Sequence, residues 1–256
     1  MGKIGGRKLC FIMNKMYPNL IGRDNLFEIL GKYNLLLYKR KRRVRTTWSA
    51  SWLHKFPNLI KDIVLTSPNQ LWVSDITYIE TNKGFVYLRL VTDAYSKKKV
   101  GWTLSPTLHA NATISALQMA IRSVNCKLDG LIHHSDRGCQ YCCEKYVKLL
   151  QDNGIQISMT QDGNPRDNAI AERVNGILKT EWLNDEHFES FNDAYKRIGE
   201  VINIYNNKRP HLSLNYKTPS QVYTEIGKQM RVWKNYYKAN KPEDVNNVIL
   251  ELTNEE

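Results

Sequence analysis

Leu71-Trp-Val-Ser-Asp-Ile-Thr-Tyr-Ile79 is dense in β-branched and aromatic residues and carries a single acid, Asp75, at its centre. That composition predicts a strand, and a strand interior is a poor place for aspartate. The turn signal Thr81-Asn-Lys-Gly84 follows, then β-rich runs over residues 85–92 and 98–104, so three consecutive strands form a meander. Downstream the period changes. Ile114, Leu117 and Ile121 recur at three-to-four spacing within 110–124 and predict a helix. Residues 131–134 read as a short strand and 143–153 as a helix with Tyr146, Leu149 and Leu150 inward. Residues 155–159 read as a last strand and 168–182 as a helix. The order βββαβαβα predicts an α/β fold, a mixed five-stranded sheet with helices on both faces.

Three acids stand out against that frame. On the strand alternation Asp75 shares a face with Val73, Thr77 and Ile79. A buried carboxylate there must be hydrogen-bonded, protonated or bound to a cation. Asp136 falls at the carboxyl end of a strand in Ile132-His-His-Ser-Asp-Arg-Gly138, where α/β sites gather. A turn aspartate ahead of Gly138 would explain the residue type, but not its polar neighbours His133, His134, Ser135, Gln140 and Tyr141. Glu172 lies early in its helix, after Gly163-Asn-Pro and a cap at Asp167 or Asn168. Asn168, Glu172, Gly176 and Lys179 share a stripe without a large apolar residue. Taken alone, a surface glutamate needs no further explanation.

Together, three carboxylates from a strand, a strand end and a helix start form an oxygen donor set suited to Mg²⁺ or Mn²⁺. Two such ions roughly 4 Å apart can activate the attacking oxygen of a phosphodiester reaction and stabilise the leaving one. Lys179, two turns beyond Glu172, would point an ammonium toward a phosphate, and Gly176 leaves room for a nucleic acid backbone. Asp93, in Val-Thr-Asp-Ala-Tyr-Ser, reads as a turn cap.

Other chemistries fit less well. Cys139, Cys142 and Cys143 lie near His133 and His134, but no second paired motif completes a zinc site. Five scattered cysteines do not form a disulfide framework, which predicts a reduced, intracellular protein. No nucleophile elbow, P-loop or dinucleotide fingerprint is present, nor any signal peptide or transmembrane run.

The formal charge is +12, and residues 1–62 hold fourteen Lys/Arg against Asp24, Glu28 and Asp62, a net of +11. A field of one sign at one end favours a polyanion, nucleic acid before an anionic membrane. Within residues 1–45, stripes of Leu9, Ile12, Met13 and Met16 and of Leu26, Ile29 and Leu30 predict two short helices, with Asp24 placed to receive early amides of the second. This is a helix-turn-helix-like unit. It runs into Tyr38-Lys-Arg-Lys-Arg-Arg-Val-Arg45, where Lys39, Arg40, Lys41, Arg42, Arg43 and Arg45 make six basic residues in eight, suited to backbone phosphates.

Residues 46–66, with Trp48 and Trp52, read as a linker and 67–183 as the core. Residues 184–230 read as a helical extension: Ser190-x-x-Asp193 opens a helix with Ala194, Ile198, Val201, Ile202 and Tyr205 apolar, and Thr218-Pro-Ser-Gln221 opens another. Arg209 and His211 between them suit phosphate contact or a surface turn, and 231–256 reads as a tail.

Four ordered motifs carry a family likeness. Trp72-Val-Ser-Asp75-Ile-Thr-Tyr-Ile79 comes first, then His134-Ser-Asp136-Arg-Gly-x-Gln140-Tyr141. Gly163-Asn-Pro-x-Asp167-Asn168-Ala-x-Ala-Glu172 follows, and Tyr205-Asn-x-x-Arg209-Pro-His211-x-x-Leu214 with Thr218-Pro219 closes the set. Together they resemble the transposases of bacterial insertion sequences with a retroviral-integrase-like core, most closely the second-reading-frame product of the IS-three family. Thirty-five residues separate Asp136 from Glu172, the spacing of that group. The likeness covers roughly residues 5–225.

The resemblance implies a ribonuclease-H-like fold, with Asp75, Asp136 and Glu172 as the catalytic, metal-binding triad. It implies hydrolysis at an element end to expose a 3′-hydroxyl, then strand transfer into double-stranded DNA, with two Mg²⁺ ions (or Mn²⁺) once DNA is bound. It also implies a helix-turn-helix partner or fusion from the first reading frame, a multimer on DNA, and a bacterial cytoplasmic, nucleoid-associated protein. A non-catalytic DNA-binding relative and a non-specific metal nuclease of the same fold stay open as alternatives.

Overall fold

In the computed structural model, which describes residues 4–37, 56–61, 63–124, 127–161 and 169–227, the meander is three antiparallel strands. They are β1 (Leu71–Thr81), β2 (Gly84–Asp93) and β3 (Lys99–Ser105). Two shorter strands, β4 (Ile132–Ser135) and β5 (Gln156–Met159), add on in parallel beyond β1, giving the order β3-β2-β1-β4-β5. The expected mixed five-stranded sheet is therefore present, with β1 at its centre.

The N-terminal helices are α1 (Gly6–Met16) and α2 (Arg23–Lys32), and the core adds α3 (Ala110–Arg122), a single turn α4 (Cys139–Cys142), α5 (Glu144–Asp152) and α6 (Ala169–Glu181). Beyond them lie α7 (Phe191–Asn207) and the short α8 (Pro219–Val222). Strand alternation sorts the side chains into two layers. Trp72, Val91 and Val100 pack with Ala116, Leu117 and Ala120 of α3 and with Tyr146 and Leu150 of α5. Ile79, Val86, Leu88 and Leu90 pack with Val174 and Leu178 of α6 and with Ile198, Val201 and Tyr205 of α7. No helix among the described residues is long and apolar enough to cross a membrane.

One irregularity redirects a side chain that matters below. The β2–β3 register shifts between Val91 and Thr92: Val91 faces Gly101 and Thr92 faces Lys99, leaving Val100 as an extra residue. Such a bulge resets the alternation. Val100 and Gly101 both face the α3 layer, while Lys99 turns toward α6. Gly101 lies flat under α3: a Cβ there would stand 2.2 Å from the carbonyl oxygen of Ala116 and 2.8 Å from the amide nitrogen of Ala120. Both obstacles are helix backbone, which cannot rotate away. Gly101→Ala is therefore expected to cost at least about 2 kcal/mol in urea unfolding; a cost below about 0.5 kcal/mol would refute this packing of α3.

At the N-terminus the structure corrects the expected cap. Gly22 precedes α2 without a side-chain cap, and Asp24 pairs with its neighbour Arg23 at 2.8 Å instead. Leu26 and Leu30 are buried but Ile29 is exposed, so the apolar stripe is narrower than its spacing suggests. The pair docks on the core through α1: Lys8 Nζ donates to Glu181 at 2.6 Å, and Phe11 stacks on Tyr216 with ring centroids 4.3 Å apart.

At the other end, Ser190 Oγ accepts the Asp193 amide at 3.3 Å as expected, but it also donates to the Asp193 carboxylate at 2.7 Å, where a glutamate could have reached back to the backbone. Thr218 and Gln221 complete both arms of their capping box.

Candidate active site

The β1–β4 register brings the first two acids together. Leu71, Trp72 and Val73 face Ile132, His133 and His134 in parallel. Continued two residues past Val73 and His134, the same register leads to Asp75 and Asp136, and the Asp136 charge acts on the Asp75 carboxyl. Neighbouring strands lie about 4.8 Å apart and in-register side chains share a face, so two carboxyls meet at the end of β4. Asp136 is fixed there by a tight turn in which the Gly138 amide donates to Oδ1 at 3.0 Å.

Asp75 is held from two sides. The Ile76 amide donates to Oδ1 at 2.9 Å, and Asn175 of α6 donates from Nδ2 to Oδ2 at 2.6 Å. These bonds favour the ionised form, yet burial and then the charge of Asp136 outweigh them. The carboxyl is pushed up to about 7, with a smaller push from Glu172. Negative charge is thus concentrated around Asp75 beyond what hydrogen bonding offsets.

Glu172 is exposed in the first turn of α6, whose buried stripe is Ala171, Val174, Asn175 and Leu178. Among the described residues no three His, Cys, Asp or Glu side chains stand close enough to share an ion. Asp75 and Asp136 are the coupled pair, and Glu172 is the most weakly coupled of the three. Asn168, just upstream, lies outside the described residues, as do Lys39, Arg40, Lys41, Arg42, Arg43 and Arg45. A Cβ on Gly176 would meet nothing within 4 Å, so the outward stripe of α6 is open. Lys179 on that stripe lies 4.1 Å from the centre of the Tyr78 ring, a cation–π contact. Burial lowers its pKa and Asp75 raises it, so the ammonium is within electrostatic reach of the acidic pair.

Arg209 and His211 do not form the surface turn that was one expectation for them. Neither is a surface group: they are 5% and 4% exposed. Arg209 makes a two-pronged pair with Glu181, Nε to Oε2 and Nη2 to Oε1, both 2.6 Å. His211 packs edge-on against Tyr205, and burial followed by the Arg209 charge lowers its pKa, keeping it neutral. Their polarity serves the joint between α6 and the end of α7.

The polar neighbours of Asp136 buttress the sheet. His133 bonds Ser74 Oγ at 2.8 Å and Tyr146 Oη at 2.9 Å, and burial lowers its pKa to about 3; His134 Nδ1 bonds Ser158 Oγ at 2.8 Å. Cys139, Cys142 and Cys143 are free thiols, and Cys142 rests on the Met159 sulfur. Asp93 is a turn residue, accepting the Asn69 and Ser96 amides at 2.8 and 2.7 Å.

Asn175 and Lys99 went unread in the sequence. Asn175 has a legible signal, since it interrupts the apolar stripe Ala171–Val174–Leu178 of α6. Lys99 has none, because it is the third lysine of Lys97-Lys-Lys99 and only the bulge turns it inward.

The chain is similar to known proteins. Residues 66–165 match one integrase core domain family and residues 153–219 a second. The uncharacterized 31 kDa protein of insertion element IS600 from Shigella sonnei is 38% identical over 204 residues, 78% of this chain and 74% of that one. A putative transposase for insertion sequence element IS986/IS6110 of Mycobacterium tuberculosis is 31% identical over 214 residues, 81% and 77% of the two chains. A chain of a simian T-cell lymphotropic virus intasome matches with a TM-score of 0.54 at 18% identity, over 91% of this chain and 77% of that chain, a likeness of fold. With its five-stranded integrase core and relatives matched over most of their length, the chain belongs to the integrase-core transposases of bacterial insertion sequences, the IS-three-like group.

Proposed function

We propose that this chain cuts and joins DNA at a site made of Asp75, Asp136 and Glu172. The observation that carries the reading is the charge of Asp136 acting on Asp75 across the parallel β1–β4 pairing, which together with burial holds Asp75 far above an ordinary carboxyl. The donor set fits a hard divalent cation: carboxylate oxygens, with burial and the Asp136 charge disfavouring a second negative charge on Asp75. Asp75 and Asp136 would hold Mg²⁺ or Mn²⁺ from the sheet and Glu172 from α6, in the two-ion arrangement with DNA bound. When bound, the ions supply activation of the attacking oxygen and stabilisation of the leaving one.

The rest of the chain orients DNA. In the first step a water oxygen attacks phosphorus at an element end and a 3′-oxygen leaves with a proton. In the second that 3′-oxygen attacks another phosphodiester and displaces its 3′-oxygen. Lys179 lies along the open stripe of α6 where a phosphate backbone would run, and the basic run Lys39 to Arg45 supplies charge for the flanking duplex. A helix-turn-helix partner or fusion would find the element ends, and a multimer of the chain would hold two of them.

The test is cleavage and joining of an element-end duplex by the chain with its partner. Products are expected with Mg²⁺ or Mn²⁺ and none with chelator. Binding that falls with salt but is never followed by cleavage would favour a non-catalytic relative. Equal cleavage of unrelated duplexes would favour a general nuclease.

A further inference from the structure

We propose that Lys99 is a positioning residue for the acidic site: its buried ammonium fixes which way the Asn175 amide points, and through it the orientation of Asp75. The inference rests on the reading of Asp75 as a cation ligand. Lys99 is 4% exposed, and its Nζ donates to Thr92 Oγ1 at 2.9 Å and to Asn175 Oδ1 at 3.2 Å. Lysine is almost never fully buried unless paired, and both of these partners are neutral.

The consequence follows from donor chemistry. Burial lowers the Lys99 pKa to about 7 against a raising pull from Asp75. In its ammonium form Lys99 only donates, so Asn175 then presents Oδ1 to Lys99 and Nδ2 to Asp75, where the bond is 2.6 Å. A flipped amide would set NH₂ against NH₃⁺ on one side and two oxygens against each other on the other. An ionised Asp75 asks for the same orientation from its own side, so the lysine and the carboxylate hold the amide from both ends. Asp75 is thereby gripped at Oδ2 by Asn175 and at Oδ1 by the Ile76 amide. Each oxygen keeps further acceptor capacity.

The ammonium is itself held in place. The Asn206 side chain of α7 clamps the Lys99 backbone, accepting its N–H at 2.9 Å and donating to its carbonyl at 3.0 Å. The bulge at Val100 then aims the side chain toward α6. Three elements thus converge on one amide of the helix that carries Glu172, a second layer of support of the kind that orients metal ligands.

The experiment is a Mn²⁺ titration of the full chain, reading free ion by electron paramagnetic resonance, alongside thermal melts. It compares wild type, Lys99→Met, Lys99→Gln, Asn175→Leu, the double variant Lys99→Met/Asn175→Leu, and Asp75→Asn as reference. Lys99→Met is expected to be at least as stable as wild type, because burying an ammonium is costly, yet to bind Mn²⁺ at least about tenfold more weakly. A purely structural lysine would give the opposite pattern. Lys99→Gln, which keeps a hydrogen bond but dictates no direction, should weaken binding too. The double variant should bind no worse than Asn175→Leu, since Lys99 acts through that amide. Wild-type affinity in folded Lys99→Met or Lys99→Gln, or additive losses in the double variant, would overturn the proposal. Wild-type affinity in Asp75→Asn would instead remove the acidic-site reading beneath it.

Discussion

Asp75→Asn is expected to raise the stability of the metal-free chain at pH 8 while lowering Mg²⁺-supported strand transfer at least about 10³-fold. The sign follows from linkage. The Asp75 carboxyl sits at about 7 in the folded chain, first because it is buried and then because of Asp136, against 3.8 for an ordinary aspartate. A raised carboxyl contributes stability that is complete below about pH 4 and is lost as pH rises through about 7. Above that window the folded chain carries an ionised group in an environment that disfavours it, a penalty on the order of 4 kcal/mol. Asparagine keeps an oxygen for the Asn175 donor but has no charge, so the penalty disappears.

Mg²⁺ should act on the wild type in the same direction as the mutation, because a cation at about 100 times its dissociation constant stabilises the folded state by about 2.7 kcal/mol. The variant should show no such gain. Melts at pH 5 and pH 8, each with and without Mg²⁺, distinguish these cases. A metal-free Asp75→Asn less stable than wild type at pH 8, or one that still gains from Mg²⁺, would remove Asp75 from the site. Glu172→Gln supplies the contrast. Its carboxyl is exposed and is the last contributor to the Asp75 shift, so its stability should barely move while strand transfer falls by a comparable factor.

The sheet was legible because its elements are long or periodic. β1 announces itself by β-branched and aromatic density and α7 by an apolar stripe that buries as spaced, whereas α3 buries Thr113, Ala116, Leu117 and Ala120 and leaves Ile114 and Ile121 of its expected stripe half-buried. Asp75 was legible for the same reason, as a polar residue where a strand does not want one. Periodicity alone did not join it to Asp136, because strand spacing says nothing about which strands become neighbours; the family motifs implied the grouping, and the parallel β1–β4 pairing makes their strands neighbours.

The side chains that tune the pair were least visible. Lys99 depends on a one-residue bulge, and no periodicity reports a bulge. Arg209 and His211 sit in a polar, proline-stopped stretch that reads as surface. They are interior because Glu181 and Tyr205, on two different helices, come to meet them. Composition gives the polarity of a segment but not what long-range packing places against it.

That misreading leads to the second large effect. Glu181 closes α6 and accepts from Arg209 at both oxygens and from Lys8 of α1, all at 2.6 Å and nearly out of solvent. Burial, followed by the Arg209 charge, lowers the Lys8 pKa. The carboxylate is therefore what allows two cations to occupy one interior volume. Removing one partner of a buried pair costs about 3–5 kcal/mol, because the other is left charged and uncompensated. Arg209→Ala should fall at the lower end of that range, since Lys8 still pairs with Glu181. Glu181→Ala should reach the upper end or exceed it, since it leaves Arg209 and Lys8 facing each other. Against a typical total of about 5–15 kcal/mol, the second change threatens folding at physiological temperature. The double change Arg209→Met/Glu181→Leu should recover part of the loss, because an apolar pair of similar volume needs no counter-charge. Urea unfolding of the three variants, read beside DNA affinity at matched salt, separates the internal role from a phosphate contact. If Arg209→Ala loses DNA binding at unchanged stability, Arg209 faces the nucleic acid after all. If stability falls first and the double change restores it together with DNA binding, the arginine belongs to the joint that fixes the α6 helix, and with it Glu172, to the rest of the chain.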